Sequence, residues 1–133
     1  SKLINYFNGD YSKSKIEKEL NNFLKKISKN KKYFFSKKDQ IFLESLRSDG
    51  IEVSKKFDDL YETDISQIPT DIQVMINNNE KGAALLRIIE VIGQDKLERI
   101  DDDTIYFIVS TLNQLNIDPL RNKILLKILP LKV

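Results

Sequence analysis

The chain contains no histidine, no cysteine and no tryptophan. Those absences exclude imidazole and thiol nucleophiles, a Ser-His-Asp triad, zinc fingers, iron–sulfur clusters and thiol redox chemistry. Only carboxylate, lysine or tyrosine chemistry remains open to it, and no arrangement of those residues in the sequence marks a reaction or a cofactor. The expectation is therefore a protein that is not an enzyme and carries no cofactor. The lack of cysteine leaves the compartment open, because reducing and oxidising surroundings both tolerate it.

Helix breakers are equally scarce. Proline occurs only at 69, 119 and 130, and glycine only at 9, 50, 82 and 93. Four isolated glycines cannot build a phosphate-cradling loop. Long apolar runs are missing too. The densest, Ala83 to Ile92, is interrupted by Arg87 and Glu90 and falls well short of the ~20 residues a membrane span needs. No membrane span is expected. The first residue is Ser1, and a processed product or a domain cut from a longer polypeptide is the expectation that follows.

What is present is 133 residues, 41% of them apolar and 32% charged. That is the size and balance of one globular domain, with a core large enough to fold without disulfides or metals.

Apolar residues recur with the period of a helix almost throughout. The pattern predicts eight helices, beginning with a short one over Lys2 to Asn8 that ends at Asn8-Gly9. A second runs from Ser12 to Ser28, with Ile16, Leu20, Phe23, Leu24 and Ile27 on one stripe. Ser36 with Asp39 three residues later resembles a capping box that opens a third helix, closed at Asp49-Gly50. A fourth is predicted over 54–62, followed by a connector over 63–68. Pro69 suits the first turn of a fifth, which Asn77-Asn78-Asn79 ends. The sixth, Glu80 to Ile92, is apolar almost all round, so neighbours are expected on several of its sides. Asp101, Asp102 and Asp103 open the seventh, which carries Ile105 to Val109, Leu112 and Leu115. Asp118 as cap and Pro119 just inside start the eighth, and Pro130 ends it.

The two parts of the chain also align. At an offset of about 65 residues, apolar positions, caps and the turns Gly50-Ile51 and Asn116-Ile117 coincide. The fold expected is a single all-α domain over 1–133, a compact array of seven or eight helices. It would be built from helical hairpins in α-solenoid style, with an internal duplication over 1–62 and 69–133 as its candidate origin. The sixth and seventh helices should form its centre.

Three groups of residues bear on function. The C-terminal helix has apolar side chains on two faces and only Arg121, Asn122, Lys123 and Lys127 as a polar strip. A terminal helix of a free-standing array should turn a polar face outward. Leu125, Leu129, Leu131 and Val133 are therefore the candidate protein interface, for another chain or for self-association, with burial inside the fold as the plainer explanation.

The second group is Lys25, Lys26, Lys29, Lys31, Lys32, Lys37 and Lys38, with Tyr33, Phe34 and Phe35 among them. Residues 1–60 hold 14 cationic against 9 anionic side chains, and 61–133 hold 8 against 11. Lysines with interleaved aromatics can hold phosphates and stack bases. A solvated helix end is the plainer explanation, and arginine, the better phosphate fork, is absent from the cluster. The third group, Asp95, Glu98 and Asp101 to Asp103, lacks calcium-loop spacing and is accounted for by helix capping. No metal is expected there. Tyr6, Tyr11, Tyr33, Tyr61 and Tyr106 show no pairing with a candidate base, and core packing accounts for them.

The function expected is a protein-interaction or scaffolding domain, part of a larger protein or complex. The alternative is a nucleic-acid or anionic-polymer binding module that uses residues 25–38.

Overall fold

Side chains spaced every third or fourth position bury one stripe apiece, and that spacing decides the architecture. The computed structural model of the chain describes residues 2–32, 35–60, 70–92 and 97–129. Among the described residues lie α1 (Lys13–Ser28), α2 (Lys37–Ser48), α3 (Thr70–Asn77), α4 (Lys81–Ile92), α5 (Asp102–Leu115) and α6 (Asp118–Ile128). Three further segments, Lys2–Asn8, Lys55–Leu60 and Leu97–Arg99, are 3-10 helices. The fold is all-α, with no strand among the described residues. The helix expected at 2–8, and the described part Lys55–Leu60 of the one expected at 54–62, take the tighter 3-10 form, which suits short segments. The expected connector at 63–68, Pro69 and Gly93 lie outside the described residues.

Local chemistry sets most of the helix ends. Ser12 Oγ accepts from the Lys15 amide to open α1. At α2 the Ser36 hydroxyl accepts from the Asp39 amide at 3.1 Å, and the Asp39 carboxylate accepts from the Ser36 amide at 3.1 Å. This is a reciprocal capping box with Asp in place of Glu. Asp101 accepts from the amide and hydroxyl of Thr104 to open α5.

At the other ends one reversal recurs. Gly50 sits at φ +89° and Asn116 at φ +57°. The next amide reaches back five residues each time, Ile51 to the Leu46 carbonyl at 3.1 Å and Ile117 to the Leu112 carbonyl at 3.0 Å. The same reversal also follows Gly9 and Asn79, whereas α1 ends at Lys29 without it.

α5 is the central element. It packs against α2, α3, α4 and α6, and Ile105 to Val109, Thr111, Leu112 and Leu115 are all buried. α6 packs on α5, on the Leu97–Arg99 turn and on the N-terminal segment Lys2–Asn8. The first and last described elements therefore meet. Asn21 ties the chain after α2 to α1: its amide donates to the Glu52 carbonyl at 3.1 Å, and its oxygen accepts from the Ser54 amide at 3.0 Å.

Two expectations need correction. α4 does not share the centre with α5. It buries Ala84 and Ile88, whereas Leu86 is 63% and Ile89 59% exposed. α3 and α5 are the helices it packs on, and they cover only part of its circumference. Asp118, expected as the cap of the last helix, is instead that helix's first residue. Ile117 holds the capping position with no side-chain hydrogen bond, and the Asp118 carboxylate lies 3.7 Å from the Arg121 guanidinium.

Candidate interaction surface

α6 carries apolar residues on two faces because it has neighbours on both. Leu125 is completely buried and Leu129 nearly so, packed into the core with Ile124 and Ile128. As a candidate interface these two side chains are therefore corrected: the fold itself covers them. Leu131 and Val133 lie outside the described residues.

Of the polar strip on this helix only Arg121 turns inward and is fully buried, whereas Lys123 and Lys127 stay exposed. Its guanidinium donates twice to Asp49, Nη1 to Oδ1 and Nη2 to Oδ2, each at 2.8 Å. Nη1 also reaches the Asn113 side-chain oxygen at 3.1 Å and the Ser45 carbonyl at 3.4 Å. Nε and Nη2 both donate to the Asn122 side-chain oxygen, and the Phe7 ring lies 5.6 Å from the guanidinium carbon. All three guanidinium nitrogens therefore donate, as a buried cation requires.

The Tyr6 hydroxyl donates to the same carboxylate at 2.9 Å, joining the N-terminal segment to α2 and α6. Burial first, then this hydrogen bond to Asp49, push the Tyr6 hydroxyl up to about 12. A second tyrosine, Tyr106, donates to Glu44 Oε1 at 2.8 Å. Burial lifts the Glu44 carboxyl above its ordinary range, against the downward pull of the hydrogen bonds from Tyr106 and Gln40. Two tyrosines thus do have carboxylate partners, both from a remote part of the chain and so invisible to a reading of neighbours.

The lysine-rich segment divides in two. Lys25, Lys26, Lys29, Lys31 and Lys32 are exposed, and no ion pair among the described residues involves them. Lys37 lies 3.7 Å from Asp103 and 4.7 Å from the centre of the Tyr106 ring. Lys38 lines a shallow hollow of about 110 Å³ with Lys127, Asp102 and the aliphatic side chains of Leu97, Ile100, Ile105 and Ile128. Tyr33 and Phe34 lie outside the described residues, as does Asp95.

No group of three metal-ligating side chains occurs among the described residues. No described helix is long and apolar enough to cross a membrane.

Among the described residues the large apolar side chains left exposed are Leu120 at the start of α6 and a group on the α3–α4 hairpin. Leu86 and Ile89 of α4 are joined by Val74 of the adjacent α3, which is 50% exposed. Gly82 lies on the same face as Leu86 and Ile89, at spacings of four and seven residues, and is also exposed. Arg87 links the two helices through Asp71 at 3.1 Å and approaches Glu90 at 3.5 Å. The sequence pattern shows a helix apolar almost all round but does not show which of its faces the core leaves uncovered. Comparison with family models, with curated proteins and with solved structures finds no match.

Proposed function

We propose that this chain is a non-enzymatic protein-interaction domain of scaffolding type that docks a partner protein through the exposed face of α3 and α4. The observation that carries the reading is the exposure of Leu86, Ile89 and Val74 together on one hairpin. Large aliphatic side chains grouped on a surface mark a place where another apolar surface sits. Rigid backing favours the same use, because α3 and α4 both pack on the buried central helix α5, so the face is preformed and little ordering is needed to bind. The Tyr6–Asp49 pair fits a structural role for that tyrosine. Raising a tyrosine to about 12 moves it away from the range in which general bases and nucleophiles operate near neutral pH.

The test is site-specific photo-crosslinking in the cell of origin, with the photoreactive residue at position 89 and, separately, at position 29. A defined protein adduct from position 89 that Leu86→Asp abolishes is the expected result. Absence of any adduct from position 89 would overturn the reading.

A second reading rests on the five exposed lysines 25, 26, 29, 31 and 32, whose charge is not neutralised by any described ion pair. It makes the end of α1 a binding site for nucleic acid or another anionic polymer. Such binding must fall steeply between about 50 and 200 mM salt. An affinity for single-stranded RNA or DNA that is flat across that range, or absent, removes it.

A further inference from the structure

The α3–α4 face has features that restrict what can cover it. Gly82, Leu86 and Ile89 form one row along α4, with large side chains in the middle and a glycine at the N-terminal end. A Cβ added at Gly82 would meet nothing within 4 Å, so another helix can approach closely there. The charged border is of mixed sign: Asp71, Arg87 and Glu90 all stand on the side of the row that faces α3. A strongly acidic or strongly basic partner would meet a like charge on that border. A partner carrying the same mixed pattern in reverse order would not.

Resting on the reading of this face as an interface, we propose that its occupant is a second copy of the chain, with α4 packed antiparallel on α4 of that copy. A two-fold axis midway between Leu86 and Ile89 sets Leu86 of each copy opposite Ile89 of the other. This is the self-complementary arrangement a symmetric dimer requires. In antiparallel helix pairs, residues on one side of the contact row face residues on the same side of the other helix. Arg87 of each copy then stands within a turn of Glu90 of the other. Val74 flanks the contact from α3. One helix row and its flank form a small interface, so association should be weak and reversible.

The experiment is sedimentation equilibrium of the whole chain over about a hundredfold range of concentration. The wild type should show a reversible monomer–dimer equilibrium, and Leu86→Asp should be monomeric throughout with an unchanged circular dichroism spectrum. Charge reversal separates this geometry from general stickiness. R87E alone sets Glu against Glu90 twice, and E90R alone sets Arg against Arg87 twice, so each should dimerise less than the wild type. An equimolar mixture of the two should recover a heterodimer, because both contacts are then between unlike charges. A wild type that stays monomeric throughout, a dimer indifferent to Leu86→Asp, or a mixture no better than its components would overturn the proposal. A monomeric chain that still gives an adduct with a different protein from position 89 would sink the second copy as occupant and leave the interface reading standing.

Discussion

Arginine is used only four times in this chain, against eighteen lysines. At position 121 the reason is geometric. A buried cation facing both oxygens of Asp49 needs a planar fork with several donors, and lysine offers a single point charge. Removing Asp49 strands a fully buried guanidinium, and removing Arg121 strands a half-buried carboxylate. Arg121→Ala or Asp49→Ala should therefore cost on the order of 3–5 kcal/mol by urea unfolding. The double variant should cost clearly less than the sum of the two single variants, since the stranded charge is gone. Strict additivity would mean that the pair is not coupled.

Tyr6 belongs to the same cluster, and its titration has a definite sign. Its hydroxyl is held up to about 12 in the folded chain, against roughly 10 when unfolded. The stability it contributes is complete below the unfolded value and is lost as pH rises through the folded one. A component of the tyrosinate absorbance should thus appear only as pH approaches 12 and be missing in Tyr6→Phe. Stability should decline more steeply from pH 10 to 12 in the wild type than in that variant. If the component lost in Tyr6→Phe is one that titrates near the ordinary tyrosine value instead of near 12, the hydrogen bond is contradicted.

At the scale of the element, α4 and α5 make an instructive pair. Both are rich in aliphatic side chains, and pattern alone gives them equal claims on the core. Their surroundings differ: α5 packs closely against α2, α3, α4 and α6, whereas the close packing of α4 among the described residues is with α3 and α5. Truncation reads that difference directly. Ile108→Ala removes a fully buried side chain and should cost on the order of 2–5 kcal/mol. Leu86→Ala, expected from sequence to cost as much, should instead stay within about 0.5 kcal/mol. Thermal or denaturant unfolding decides both, and comparable costs would place α4 back in the centre. The helix ends were more legible than the helix faces. Ser36 with Asp39, Asp101, Gly50 and Asn116 act within a few residues of themselves, so their chemistry is present in the local sequence.

At the scale of the whole molecule, the sequence by itself determined that the chain folds as helices, and where most of them begin and end. That follows because period, caps and left-handed turns are short-range properties. It also pointed to helices with more apolar surface than one contact can bury. Which of those surfaces stayed open was decided only in the tertiary structure. The C-terminal helix is covered because the N-terminal segment Lys2–Asn8 returns to lie on it. Arg121 turns inward because Asp49, remote in sequence, comes within 2.8 Å of it. Leu86 and Ile89 remain exposed because the described chain puts no helix over the outer side of α4. Each outcome depends on which distant segments meet, and the spacing of residues along one helix holds no information about that.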